Sequence, residues 1–442
     1  MSLLHEKSDV CCKSELDLFS VPFTQMSIVK GPWVEYHPVS NITDSGPIEF
    51  NIAGTAEEYV DLSQTMLHVQ AKVVNADGTR LANDAQVGPV NLFLPSLFSQ
   101  IDVKLNETLV SQPSNTNAYR AYLDVLTHYG HDAMSSQITQ QLFYKDTAGK
   151  MDVGNPFAAA GDANLGLKKR QTFISESKSV SLLGPLYGDI FFQERLLLPG
   201  VDIKIKLNRQ KDSFCLLSSG VEEKFKVVIE KATLYVRRVK VNPSVMLSHA
   251  KAIESSPAKY PINKVDVRSF TISAGNMSVN KDNLFLGQIP NRIIIGFVDN
   301  DAYNGSYLKN PFNFKNYHLN YISITVDGEP LPMRPLRPSY GDSGNFIEAY
   351  NTLFLGTNRL FTDKGIAINR EEYSKGYTLY AFDLTPDLSD GCHLNLVKEG
   401  NVRLEAGFDV ALPNTVNCIV YSESQGLIQI DRSRNVIYDF KG

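Results

Sequence analysis

The sequence lacks most of the features that assign a chain to a familiar functional class. It has no run of about 18 apolar residues, so we expect no transmembrane segment. Residues 1–12 carry charges and no apolar segment of a signal peptide, so we expect a protein that is not secreted. The 43 Lys and Arg are dispersed and are outnumbered by 48 Asp and Glu. A dedicated nucleic-acid binder is usually basic, so we expect no sequence-specific nucleic-acid binding.

Cysteine is scarce as well. The chain has five in 442 residues: Cys11, Cys12, Cys215, Cys392 and Cys418. Their number is odd, their spacing is irregular, and the adjacent pair cannot form an ordinary local disulfide. This usage excludes a disulfide-bonded framework and is typical of reduced thiols in a cytosolic or nuclear protein.

Recognisable catalytic motifs are missing. We find no Gly-rich phosphate loop, no Gly-x-Ser-x-Gly turn and no His-Glu-x-x-His helix. Only His128 and His131 are close in sequence among the eight histidines, and a structural zinc site needs about four ligands. We interpret this pair as exposed residues at a helix end. We therefore expect no enzyme, with no catalytic, cofactor-binding or metal-binding residues.

Two acidic segments nevertheless leave alternatives open. Asp383, Asp387 and Asp390 could include the paired carboxylates of a glycoside hydrolase, so a β-sandwich carbohydrate-binding protein or hydrolase remains an alternative. We favour a turn-rich loop for this segment. The Asp-Asn-Asp segment at 299–301 begins like a calcium loop but lacks the later ligands, so we expect it to cap a turn.

Alternation of apolar and polar residues is the dominant pattern that the sequence does contain. Phe and Tyr, with 23 and 20 residues, add to the preference for strands. Strands with one solvated face are predicted at 67–73, 101–105, 201–207, 234–236, 265–267, 322–326 and 402–406. Segments 292–298 and 417–421 are apolar on both faces, as in buried strands. The absence of strand–helix alternation favours an all-β fold over a doubly wound sheet.

Two helices interrupt this pattern. Asn117 could cap a helix over 118–129, and Asn242-Pro243 is a strong start signal for a helix over 244–253. A Ser- and Pro-rich stretch at 255–261 follows, and alternation resumes near Lys264. We predict an N-terminal arm and lead-in strand at 1–45, a first domain at 46–242, a helix and linker at 243–261, and a second domain at 262–442.

Several segments do not fit a strand or a helix. Residues 1–26 mix charges and apolar groups without alternation, and we expect them to order only against a neighbour. Residues 161–170 and 342–344 are predicted to be exposed loops. Four prolines within 329–338 predict a rigid connector between strands.

Several longer segments of the chain carry a resemblance to a known family. The N-terminal ones are Trp-Val-Glu-Tyr-His-Pro at 33–38, Gly-Pro-Ile-Glu-Phe at 46–50, and Ala-Thr-Leu-Tyr-Val-Arg-Arg-Val-Lys-Val-Asn-Pro-Ser at 232–244. Further on are Asn-Leu-Phe-Leu-Gly-Gln at 283–288, Val-Asp-Asn-Asp-Ala-Tyr-Asn-Gly-Ser at 298–306, Asn-Pro-Phe-Asn-Phe at 310–314, and Gly-Tyr-Thr-Leu-Tyr-Ala-Phe-Asp-Leu-Thr-Pro-Asp at 376–387. Together these segments resemble the major capsid proteins of Polinton/Maverick elements and the related adintoviruses. The resemblance spans roughly residues 14–439, and the loop at 149–169 matches least.

The resemblance implies a double jelly roll, two eight-stranded antiparallel β-sandwiches with a few short helices. It also implies a homotrimer with a pseudo-hexagonal outline, whose neighbouring capsomers tile an icosahedral capsid beside penton and minor capsid proteins. Such a protein would be located in the virion after assembly inside the host cell. The family supplies no catalytic residues. A minor capsid or penton component is the nearest alternative, although those are generally single jelly rolls.

Overall fold

The fold is seen in a computed structural model, and the structure describes residues 7, 13–42, 45–159, 161–220, 224–341, 344–388 and 393–438. Cys11, Cys12, Cys392 and Asp390 lie outside these residues, as does most of the loop predicted at 342–344. The predicted alternation is realised in the strands. In the segment 67–73, Leu67, Val69, Ala71 and Val73 are buried while the residues between them are partly exposed.

The strands follow the chain from the arm to residue 438. They are β1 (Ile28–Lys30), β2 (Trp33–Tyr36), β3 (Ile48–Ile52), β4 (Glu58–Asn75), β5 (Val87–Pro89), β6 (Phe98–Leu105), β7 (Thr108–Leu109), β8 (Val180–Pro185), β9 (Ile203–Arg209), β10 (Leu216–Ser218), β11 (Phe225–Val241), β12 (Ala258–Ile272), β13 (Ser278–Gln288), β14 (Arg292–Asp299), β15 (Leu319–Val326), β16 (Glu329–Pro330), β17 (Leu379–Asp383), β18 (Glu399–Phe408), β19 (Val416–Ile430) and β20 (Val436–Tyr438).

The helices are short and lie mainly in the connections. They are α1 (Phe93–Ser96), α2 (Asn117–His128), α3 (His131–Ser135), α4 (Leu165–Ile174), α5 (Asp212–Cys215), α6 (Pro243–Ser255), α7 (Asn300–Asn304), α8 (Ile347–Gly356) and α9 (Arg370–Tyr373). Single 3-10 turns lie at Ser14–Leu16, Gln137–Gln141, Ser175–Ser177 and Asp189–Phe192.

Each half of the chain forms two facing antiparallel sheets. In the first half, the order β1-β11-β4-β8, with β2 also on β11, faces the order β3-β9-β6-β7. Val69 of one sheet and Ile205 of the other lie in the same core. In the second half, β12-β19-β14-β17, with β20 on β19, faces β13-β18-β15-β16. Ile295 and Leu404 share that core. A short ladder of β5 and β10 supplements the first half.

The two cores do not separate at the junction of the halves. Tyr260, Ile262, Ile428 and Ile430, at the ends of β12 and β19, pack into the core of the first half. In the opposite sense, α2 of the first half packs into the core of the second half. Because each half buries part of the other, the halves are interlocked rather than joined only by a linker.

Helix α6 confirms the start signal at Asn242, whose Oδ1 accepts a hydrogen bond from the Ser244 backbone N–H at 3.0 Å. The linker predicted up to residue 261 is wrong in its last four residues. Strand β12 already begins at Ala258 and pairs with β19 from there on. Pro261 lies inside this strand, opposite Leu427 of β19. Its missing backbone N–H is tolerated there because β12 is at the edge of its sheet.

The exposed loop predicted at 161–170 is also wrong. Residues from Leu165 onward form α4, capped by Asn164, and the side chain of Arg170 is completely buried.

The Pro-rich segment 329–338 begins with β16, and Leu336 then exchanges backbone hydrogen bonds of 2.9 and 3.0 Å with Ile322. This connector is therefore held against the edge of β15.

Candidate functional site

The histidine pair is placed as two separate surface residues. The His128 Nε2 atom lies 3.6 Å from a Glu423 carboxylate oxygen, and His131 is exposed at the start of α3. Within the described ranges, no group of three or more His, Cys, Asp or Glu side chains is arranged to hold a metal ion. Cys215 and Cys418 are free and buried, and burial raises the pKa of both thiols.

The carboxylates considered for hydrolysis have separate structural partners. Asp383 is buried and accepts hydrogen bonds from the Thr385 backbone N–H at 2.9 Å and from its hydroxyl at 2.6 Å. Asp387 is more exposed, and its Oδ2 lies 2.8 Å from the His393 Nε2 atom. Asp390, the third member, falls in the part of the chain that is not described. Asp383 is therefore the last residue of β17, and its carboxylate accepts hydrogen bonds from the turn that follows.

Asp299 lies at the N-cap position of α7, directly after β14, but its side chain makes no capping hydrogen bond. Its carboxylate instead accepts a hydrogen bond from Lys315 Nζ at 3.0 Å and pairs with Lys309 at 3.2 Å. Burial opposes the charge, but Lys315 holds the pKa of Asp299 below its ordinary value. The residue thus ties the end of β14 to the following loops.

A chain of buried polar groups runs from α2 into the second half. Arg120 Nη2 donates to Asp189 at 2.6 Å, and the same Asp189 oxygen accepts the Val265 backbone N–H of β12 at 3.1 Å. One turn further along α2, Asp124 accepts the hydroxyl of Tyr421 at 2.5 Å. Burial raises the pKa of Asp124. Strands β12 and β19 of the second half are therefore bonded directly to the first half.

The chain of groups continues to a buried ion pair. Tyr421 is 2.9 Å from one oxygen of Glu423, and Arg292 donates to the other oxygen at 2.9 Å. Arg292 also donates to the Gly356 carbonyl at the end of α8. Burial opposes the charge of Glu423, but Arg292 holds the pKa of Glu423 below its ordinary value.

A second buried ion pair lies on the other side of α2. Arg170 and Asp146, both with fully buried side chains, are 2.6 Å apart. The Asp146 carboxylate also accepts from Asn164 at 2.9 Å and from Asn310 at 3.0 Å, and the Asp146 carbonyl accepts from Tyr377 at 2.6 Å. Asn310 and Tyr377 belong to the second half. The oxygens of buried Asp146 therefore accept hydrogen bonds from donors in both halves, as a buried charge requires.

Aromatic stacking completes the contact between the halves. Tyr122 on α2 stacks on Phe312 of the second half with ring centroids 4.1 Å apart and planes inclined by 10°. Tyr119, one turn earlier, stacks on Tyr303 at 5.7 Å. Such pairs add to the free energy gained by burying the rings. Helix α2 thus contributes ion pairs on some positions and aromatic rings on others.

Solved structures that resemble this chain share its complete architecture. The chain matches one in the cryo-EM structure of the Sputnik virophage with a TM-score of 0.66 and 11% identity, covering 100% of this chain and 94% of that one. It matches the PBCV-1 virus capsid with a TM-score of 0.57 and 10% identity, over 96% of this chain and 100% of that one. For the mavirus major capsid protein the TM-score is 0.51, at 12% identity over 99% and 97%.

The chain folds as a double jelly roll. The first roll holds β1–β11 and the second holds β12–β20, so the polar groups and rings described above lie between two rolls. No family model matches the sequence. An uncharacterized protein of Caenorhabditis elegans is 27% identical over 432 residues, which cover 95% of this chain and 99% of that protein.

The contacts between the rolls were missed by sequence reasoning, although one signal for them was present. Arg120 and Asp124 are charged residues at i and i+4 on a helix whose neighbouring positions are Ala, Tyr, Leu and Val. Charges on such an apolar helix indicate buried partners. No comparable signal marks Arg170, because Lys168 and Lys169 precede it and are exposed.

In the described part of the chain, no helix is both long and apolar enough to cross a membrane.

The ion pair of Glu423 predicts a pH-dependent stability. Its pKa is lower in the folded chain than in the unfolded chain, so the ionised carboxylate stabilises the fold above a pH of about 4.3 and this contribution is lost as the pH falls through the folded-state pKa. We expect Glu423→Gln to lower the free energy of unfolding by about 3 kcal/mol at pH 7. The difference from the parent should shrink as the pH falls below about 4.

Urea denaturation of both proteins at several pH values measures this difference. Glu348→Gln is the matched control, since Glu348 is exposed and should change stability little at any pH. A Glu423→Gln defect of the same size at pH 7 and at acid pH would contradict the assignment.

Proposed function

We propose that this chain is a viral-type major capsid protein, a structural subunit that carries out no catalysis. One observation carries the proposal: the match to a chain of the Sputnik virophage extends over both rolls and leaves almost nothing of either chain uncovered. Proteins named as major capsid proteins, from mavirus and Faustovirus, share the same fold over at least nine tenths of their chains. The resemblance of the sequence segments to the Polinton/Maverick and adintovirus capsid proteins supports this lineage.

The proposed assembly unit is a trimer. Two similar rolls per chain and three chains give six similar units around one axis, which suits hexagonal packing in an icosahedral shell. The buried ion pairs and rings between the rolls hold the two units in a fixed arrangement, as a lattice of identical contacts requires. Such trimers would meet one another, a penton protein and minor capsid proteins in the virion, after assembly inside the host cell.

The alternatives fit the structure less well. A minor capsid or penton component is generally a single roll, whereas this chain has two interlocked rolls. A carbohydrate-active β-sandwich would need available carboxylates, and Asp383 is buried and held by Thr385. We also propose that the domain division lies at α6, with the first roll ending at residue 242 and the second beginning at Ala258 instead of residue 262.

Light scattering coupled to size-exclusion chromatography tests the proposed assembly unit. With a chain of 49.2 kDa, we expect a species three times as heavy, about 148 kDa, that persists on dilution. A chain that elutes at the mass of a monomer at every concentration would contradict the trimer.

A further inference from the structure

Helix α6 borders an apolar groove on the surface of the molecule. None of its 13 residues is buried, although the helix begins and ends against strands β11 and β12. The groove beside it has a volume of about 650 Å³. Its lining includes Val245, Ala252 and Ile253 on the helix and Leu198 and Val241 below it. A groove of this size can hold several large apolar side chains.

The N-terminal arm presents the apolar side chains that such a groove would accept. Every residue from 13 to 27 is exposed, and the large apolar side chains among them contact little of the fold. Phe19 and Phe23 are 96% and 107% exposed. A monomeric protein rarely leaves so many neighbouring apolar groups in water, so a patch of this kind indicates a binding partner. The arm joins the fold at Ile28, which itself lines the groove.

Local hydrogen bonds fix the direction in which the arm leaves the fold. Gln25 accepts from the Ile28 backbone N–H at 2.8 Å and donates to the Ile28 carbonyl at 3.1 Å. The Ser27 carbonyl accepts the backbone N–H of Asn242, the residue that caps α6, at 2.8 Å. The chain is therefore held just before Ile28. These bonds hold residues 25–28, and residues 13–24 project from the fold with all of their side chains exposed, where a second copy can reach them.

Charges at the groove and on the arm are complementary. Arg195 and Lys259 line the groove, and among the residues that the structure describes its lining includes no Asp or Glu. The arm carries Glu15 and Asp17 immediately before its aromatic residues, with Lys13 as its single cation between 13 and 27. The arm is thus acidic and apolar and the groove is basic and apolar, which favours their pairing over binding of a basic partner.

We propose that the groove beside α6 binds the N-terminal arm, residues 13–26, of a second copy of this chain. The proposal rests on the proposed function, because it supplies a contact between subunits of the assembly. Phe19 and Phe23 are the anchors that enter the apolar part of the groove, and Glu15 and Asp17 face Arg195 and Lys259. The α6 segment then both links the two rolls and forms a docking site for a neighbouring subunit.

Photo-crosslinking between two full-length forms of the chain tests the proposal. One form carries a photoreactive phenylalanine at Ala252 and the substitutions Phe19→Ser and Phe23→Ser in its own arm, and the other carries an affinity tag and an intact arm. The two are produced together, irradiated, and the products mapped by mass spectrometry. We expect a crosslink from position 252 to residues 13–26 of the tagged copy.

Two controls make the result specific. With both phenylalanines replaced in all copies, the crosslink should fall at least about tenfold, as expected for loss of the anchors of an interface. Both residues are exposed, so their replacement should not unfold the chain. A probe at exposed Phe361 should give no arm product.

The outcomes separate this inference from the proposed function. Oligomers that show no crosslink, a crosslink only within one chain, or a crosslink to another segment would each overturn the arm–groove contact while leaving the capsid assignment standing. A chain that remains monomeric at every concentration would overturn both.

Discussion

Replacing Arg170 by Met should lower the free energy of unfolding by about 3–5 kcal/mol, the usual cost of removing one member of a buried ion pair. The substitution leaves the buried Asp146 carboxylate without its guanidinium partner, and it also removes the donors to the carbonyls of Pro89 and Tyr144. The effect is large because the side chains of both Arg170 and Asp146 are fully shielded from water. Urea denaturation followed by circular dichroism measures the change.

Two further variants show that the unpaired charge is the cause. Asp146→Asn in the Arg170→Met background should recover about 1–2 kcal/mol, because a neutral amide costs less to bury than an unpaired carboxylate. Lys150→Met is the matched control, since the Lys150–Asp162 pair is 3.0 Å apart but exposed, and its loss should cost at most about 1 kcal/mol. Equal losses for Arg170→Met and Lys150→Met would contradict this account.

Phe312→Ala should destabilise both rolls together by about 3–5 kcal/mol, the range for truncating a buried Phe. Phe312 is completely buried, belongs to the second roll and stacks on Tyr122 of the first. Because this core contains buried residues of both rolls, we expect a single cooperative unfolding transition that shifts as a whole. Hydrogen exchange should show loss of protection in β4 and β11 as well as in β14 and β19.

The matched control is Phe361→Ala, which removes an aromatic ring that is 93% exposed and should change stability by at most about 0.5 kcal/mol. If Phe312→Ala unfolded the second roll and left the first fully protected, the rolls would be independent and the interlocked cores described above would not govern stability.

Much of this fold follows from local patterns in the sequence. The alternation at 67–73 and 322–326 predicts strands with one buried face, and both segments lie in strands. The cap at Asn242 depends on one side chain and its neighbours, so the start of α6 could also be predicted. The first helix begins at Asn117 with Thr116 before it, one residue earlier than predicted.

What could not be predicted depends on residues that are distant in sequence. Arg170 follows two exposed lysines, and its burial is decided by Asp146 and by Asn310 of the other roll. Strand β12 begins before its alternation is evident because β19 extends far enough to pair with it from Ala258. The groove beside α6 likewise arises only when β11, β12 and the helix come together.

We propose a capsid subunit whose two rolls, repeated in three copies, make a pseudo-hexagonal trimer. Negative-stain electron microscopy of the purified protein, with two-dimensional averaging, tests it most directly. We expect particles with a hexagonal outline and true threefold symmetry, which associate into a regular lattice as the concentration is raised. Averages that show single two-lobed chains at every concentration, with no threefold particle and no lattice, would contradict it.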